Sequence, residues 1–249
     1  MKTWAIAKQE WRTLFSSPLG WWVFGVGEAM LAWLFLGHLD DFLQDQNDLA
    51  TLEDPPGATE LVAGSLFGNT ALVLLLLVPF LTMRSVSEEL RSKTIVLLFS
   101  SPVSMTSVIL GKYLGILGFL CLWIVSALLM ILSMQMGGVL DLGLVAAGGV
   151  GLLLLVASFT AAGLFVSTLT TLPTLAAVGS FGLLLLFWVI DSHTSGQMGG
   201  ILTDLSLVSH YDDLIRGVFD SADVAYYILF ICTFLVLAIR RLDAYQRQQ

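Results

Sequence analysis

Apolar residues in this chain are gathered into blocks of about 20, the length an α-helix needs to cross ~30 Å of hydrocarbon. Six such blocks run approximately over Leu19–Gly37, Leu61–Met83, Val108–Met134, Leu144–Leu169, Leu172–Ile190 and Val224–Ile239. Lipid offers no hydrogen bonds, so each block must satisfy its backbone internally, as a helix does. The expected fold class is an all-α membrane protein, six transmembrane helices in a single domain over residues 1–249. Composition agrees: 57% of the 249 residues are hydrophobic and 12% charged, against about 25% charged in a soluble domain. Pro173 is placed to begin the fifth helix after a tight turn. The opening residues do not read as a cleavable signal, because Lys8, Glu10 and Arg12 interrupt them and Trp21 and Trp22 follow. The first span is expected to be retained.

Charge decides orientation. Of the eleven Lys and Arg residues, only Arg216 falls on the side opposite the rest, so both termini and the 84–107 segment are expected to be cytoplasmic. The acids run the other way. Asp40, Asp41, Asp45, Asp48, Glu53, Asp54 and Glu60 fall in the first outer loop, and Asp191, Asp204, Asp212, Asp213, Asp220 and Asp223 in the last. The net charge of −8 therefore belongs to the outer surface, and no basic patch invites nucleic acid. Cys121 and Cys232 both sit inside apolar spans, where a thiol serves as a small hydrophobic filler.

Residues 3–17 read as an amphipathic helix lying on the inner leaflet. Trp4, Ala7, Trp11, Leu14 and Phe15 recur at helical spacing, with Lys8, Gln9 and Arg12 elsewhere on the wheel. The stretch RSVSEELRSKTIVLLFSSPVS, residues 84–104, gathers Arg84, Glu88, Glu89, Arg91 and Lys93 between two apolar runs. Ser85 and Glu88 have capping-box spacing. Glu88 precedes Arg91 by three positions and Glu89 precedes Lys93 by four, the favourable order for helical ion pairs. A short cytoplasmic helix follows from this pattern. The apolar IVLLF at 95–99 then needs cover, from the membrane domain or from a partner.

That stretch, with VILGKYLG opening the next span, resembles type 2 ABC exporter permeases. Arg84, Ser85, Glu88, Glu89, Thr94, Leu97, Leu98, Ser101, Pro102, Gly111 and Lys112 carry the match. Lys93 stands where the family commonly has Gly before Thr. A second stretch, LSLVSHYDDLIRGVFDSADVAYYILF at 205–230, is similar to the gliding-motility-associated subfamily through Ser209, His210, Arg216, Gly217, Asp220, Asp223 and Tyr226. The resemblance implies a permease subunit of an ATP-binding cassette exporter, multi-pass in the bacterial inner membrane. Its 84–107 segment would be a coupling helix seated in a cleft of a separate ATPase subunit, with Arg84, Ser85, Glu88, Glu89, Arg91, Thr94 and Pro102 at that junction. ATP and magnesium would lie on the partner, and this chain would bind no cofactor of its own. The sequence agrees, since Gly111-Lys112 is followed by Tyr113 and no phosphate-binding glycine loop is present. Six spans are half of the usual twelve, which implies a second permease copy, the same chain or a related one. Small-residue faces at Gly111, Gly115 and Gly118, at Gly148 and Gly151, and at Ala176 and Ser180 are candidates for packing the two together. An extracytoplasmic auxiliary protein and membrane lipid are further partners, and the outer 192–223 segment is expected to form short helices dipping back toward the membrane, through Leu205, Val208, Ile215, Val218 and Phe219.

Glu28 lies midway along the first span, where a carboxylate costs ~2.5–3.5 kcal/mol and marks a functional site. Glu28 and Asn69 are the substrate-path candidates; alternatively Glu28 hydrogen-bonds to Asn69 or to a serine inside the bundle, or sits protonated. His38, His193 and His210 lack metal-ligand spacing and read as polar loop residues. An intramembrane enzyme would need a catalytic set such as H-E-x-x-H, which is absent. An ion-coupled secondary transporter or channel without an ATPase partner would show inverted repeats or paired broken helices, whereas Pro79 is an isolated interruption.

Overall fold

The computed structural model describes residues 2–49, 57, 59–94, 104–136, 140–189 and 206–247. All their regular structure is helical. Helix α1 spans Lys2–Ser16, bends at Ser17, and gives way to α2, Pro18–Leu49. A π-helical turn, Thr59–Ala63, leads into α3, Gly64–Thr82. The short α4 is Ser87–Arg91, and α5 runs over Met105–Ser133, ending in a tighter turn at Met134–Met136. Helices α6, Leu142–Leu169, α7, Pro173–Val189, α8, Leu207–Ile215, and α9, Ser221–Gln246, complete the chain.

The starts follow from local chemistry. Pro18 and Pro173 open α2 and α7 at the position where a missing N–H costs nothing. Side-chain oxygens of Ser104, Asp141, Ser206 and Asp220 accept from the free amides at the heads of α5, α6, α8 and α9.

Among the described residues, five helices are long and apolar enough to cross a membrane: Pro18–Asp45, Thr59–Arg91, Met105–Ser133, Leu142–Leu169 and Ser221–Gln246. Helix α7 is apolar but has 17 residues, about 25 Å at 1.5 Å per residue, the short end of what spans a bilayer.

The bundle has a centre and a rim. Buried residues make up 61% of the most apolar stretch of α3 and 56% of that of α6, against 17% for α2 and 28% for α9. Helix α6 packs against α3, α5, α7, α8 and α9. A Cβ on Gly148 would strike the Phe67 ring and one on Gly163 would strike Thr82, so these glycines let α3 lie against α6. Rim helices instead present bulky side chains such as Trp22, Trp33, Val178 and Leu229 outward, as lipid requires.

Three expectations need correction. Asp40, Asp41 and Asp45 continue α2 instead of lying in a loop. His38 is also on α2, hydrogen-bonded to Asn69. Gly111 and Gly115 are used inside the chain: ideal Cβ atoms there would meet Ile6 and Thr3 O, and Ala7 O at 2.8 Å, so this face receives α1. Helix α1 accordingly runs lengthwise along α5, with Ala7 buried and Leu14 and Phe15 packed on the core. Glu53, Asp54, IVLLF at 95–99, Ser101, Pro102, Asp191, His193, Asp204, Leu205 and the stretch 192–205 fall outside the described residues.

Candidate functional site

At the end of the bundle where α3 turns into α4, one buried lysine organises the chain. Lys112, on α5, is only 4% exposed. Its ammonium donates to Ser85 O at 2.7 Å and to Glu89 Oε1 at 2.7 Å, and lies 3.5 Å from Glu10 Oε2. Three donors meet three acceptors, which is what burying this group requires. The Ser85 hydroxyl donates to Glu10 Oε1 at 3.0 Å. The lysine thus ties α1, the α3–α4 turn, α4 and α5 together.

Ser167, near the end of α6, holds the same turn from the other side. Its hydroxyl oxygen accepts from the amides of Val86 and Ser87 at 3.2 and 3.1 Å and donates to Met83 O at 3.1 Å. The Ser87 hydroxyl also donates to Met83 O. The free amides at the head of α4 are therefore capped through space.

This fixation divides the charged stretch in two. Ser85, Ser87 and Leu90 are buried and Glu89 half-buried; Arg84, Glu88, Arg91, Lys93 and Thr94 are exposed. The capping box expected from Ser85 and Glu88 does not form, because the Ser85 hydroxyl is spent on Glu10. Glu89 pairs with Lys112 rather than Lys93, because α4 ends at Arg91 and Lys93 turns away with φ 57°. That left-handed conformation disfavours any side chain with a Cβ. Glu88 and Arg91 make no ion pair with each other among the described residues. Beyond the turn, the Ser92 hydroxyl bonds Glu88 O and the Thr94 hydroxyl, keeping Thr94 against the helix end. Glu10 and Ser167 were not singled out in the sequence. Glu10 did carry a signal, as the lone acid in the first 27 residues; Ser167 carried none.

Glu28 and Asn69 are not brought together. Glu28 Oε2 accepts from the Ser126 hydroxyl at 2.5 Å, which selects the serine partner, while its Oε1 is buried without a partner among the described residues. Asn69 Nδ2 donates to His38 Nε2 at 2.6 Å, joining α3 to α2.

The opposite end is closed by α8. Leu207, Tyr211 and Leu214 form its buried face; Val208 and Ile215 are only half-buried and Val218 and Phe219 are exposed, so the expected apolar face was out of register. The Tyr211 hydroxyl donates to Phe67 O of α3 at 3.0 Å and the Tyr227 hydroxyl of α9 donates to Leu207 O at 2.8 Å. Burial and neighbouring Asp212 push the Tyr211 phenol well above its ordinary pKa, so it stays a donor. His210 Nδ1 lies 2.6 Å from Asp223 Oδ1, and its ring stacks on Tyr226 with centroids 4.2 Å apart. Gly217 has φ +80°, a turn only glycine takes freely, and Arg216 beside it is exposed. His210, Asp223 and Tyr226 of the second motif hold α8 to α9.

No group of three or more potential metal ligands occurs among the described residues. Residues 4–242 match the family described as ABC-2 family transporter protein. No curated protein matches the chain.

Proposed function

The chain belongs to the ABC-2 family of transporter membrane proteins, and on that premise we propose that it is the permease subunit of an ATP-driven exporter, driven through the exposed face of α4. A permease subunit of this family carries no ATPase of its own; that activity resides on a partner chain. The finer reading is that two permease copies, identical or related, each contribute six spans with α7 as the fifth. Both termini and α4 lie on the cytoplasmic side of a bacterial inner membrane, α1 sits at that interface, and the chain falls in the gliding-motility-associated subfamily. An extracytoplasmic auxiliary protein is a further partner.

The observation that carries this reading is the division of residues 84–94. Arg84, Glu88, Arg91 and Thr94 stand exposed while Ser85 and Glu89 are anchored to Lys112 and Glu10. A surface that merely solvates a loop needs no cross-bracing to three helices. A surface that takes a push does, because force on a loosely held turn dissipates before it reaches α1, α5 and α6. Glu28, with one buried carboxylate oxygen unpartnered among the described residues, is the substrate-path candidate.

Copurification tests this. The chain should carry a nucleotide-binding protein out of the membrane, and Arg84→Glu with Arg91→Glu should lose it while remaining inserted. Retention of that partner by the double variant, with transport intact, would refute the reading. In the same assay Glu28→Gln should lower transport and leave the partner bound; unchanged transport would remove Glu28 from the path.

A further inference from the structure

Helix α1 meets α5 closely at Gly111 and Gly115, and beside that line of contact the two helices part. Between them runs a groove of about 540 Å³, within the range of about 300–1,000 Å³ typical of small-ligand clefts. Its floor is made by Ala7 of α1 and by Leu114 and Gly118 of α5, beside the point where Gly115 receives α1, and its rim carries Trp4, Lys8, Trp11 and Arg12. The two indoles are 73% and 42% exposed. Both cations are exposed, and neither has an ion-pair partner among the described residues. Glu10, the acid of this helix, is turned away toward Lys112 and Ser85, so no carboxylate lines the groove.

An apolar floor, two indoles and two unopposed cations make an unusual lining. A water-soluble anion would gain nothing from the floor, and a neutral chain nothing from the cations. We propose that this groove binds one anionic phospholipid, its phosphate held by Lys8 and Arg12 and an acyl chain lying over Leu114 and Gly118 between Trp4 and Trp11. Tryptophan favours the headgroup level and lysine and arginine favour an anionic surface, so one molecule satisfies the whole lining. The site lies on the back of the helix whose front supplies Glu10 to Lys112, so the lipid holds α1 against α5 beside the braced turn. Which leaflet supplies it rests on the orientation proposed above; the binding itself does not.

The test uses the full chain in mild detergent, titrated with phosphatidylglycerol or phosphatidylcholine and read by native mass spectrometry. The wild type should retain one phosphatidylglycerol in preference to phosphatidylcholine. Lys8→Gln with Arg12→Gln should weaken that retention roughly 30-fold, two surface cations each contributing about a factor of five, and leave phosphatidylcholine unchanged. Leu114→Trp, which fills the groove and keeps both cations, should weaken both lipids. Equal retention of the two lipids, or undiminished phosphatidylglycerol on the double variant, would overturn the proposal. So would loss of a dimer mass by Leu114→Trp with lipid retention unchanged, which would show a second copy covering the groove. No ATPase enters this assay, so its outcome is separate from that of the coupling reading.

Discussion

Each end of the bundle is closed by a short helix; α8 combines an apolar face with tyrosine hydrogen bonds, whereas α4 rests mainly on polar bracing. Helix α8 turns Leu207, Tyr211 and Leu214 inward among α3, α6 and α7. Helix α4 buries only Ser87 and Leu90 of its five residues and relies on Lys112 and Ser167 for the rest. Apolar burial is non-directional and tolerates small shifts. A network of charge-assisted hydrogen bonds is directional and fails when one partner moves. The contrast is what the coupling role proposed for α4 asks of that end.

The contrast breaks most readily at Lys112. Lys112→Met removes the shared partner of Glu10 and Glu89. Loss of one member of a buried pair costs about 3–5 kcal/mol, and the lower end is expected, since the Glu89 side chain keeps 28% of its surface exposed. Thermal unfolding in detergent should show this loss together with faster hydrogen exchange at 84–91. A variant as stable as the wild type would mean that the brace is incidental.

Tyr211→Phe at the other end leaves Phe67 O and its surroundings otherwise intact. It should cost about 0.5–1.5 kcal/mol, the net worth of one hydrogen bond, because Phe67 O keeps its helical partner within α3, and leave exchange at 84–91 unchanged. Altered protection of α4 would show that the two ends communicate and would dissolve the comparison.

Lys93→Gly is the smallest of the three and opposite in sign. Relief of the φ 57° conformation exceeds the added backbone entropy of glycine by about 0.5–1 kcal/mol. The same unfolding assay should register a gain, and a loss would place a functional contact on the Lys93 side chain.

Much of this was legible in the sequence. Helix positions followed from block length and from Ser, Asp and Pro at helix heads. The Gly-Lys pair before Tyr113 was visible as a motif, and the structure gives it a cause: Gly111 admits α1 and Lys112 braces the turn. Pairings across the fold were not legible. Glu89 was matched to Lys93 by helical spacing, but α4 stops two residues short, and the true partner lies 23 positions away. Glu10 meets Ser85 and Lys112 at separations of 75 and 102 residues, set by glycine-lined packing of α1 on α5. Likewise α8 chose Leu207, Tyr211 and Leu214 over the neighbouring apolar set because Tyr211 can reach a backbone carbonyl of α3.

If α4 is the coupling element proposed here, its exposed side must be the one that meets the ATPase. In a background lacking Cys121 and Cys232, single cysteines at Glu88, Leu90 and Arg91 can be crosslinked in membranes that contain the assembled transporter. The account predicts adducts with the nucleotide-binding partner from positions 88 and 91, and none from Leu90, which is 6% exposed and packed inward. Adducts from Leu90 alone, or only lipid labelling at 88 and 91, would contradict it.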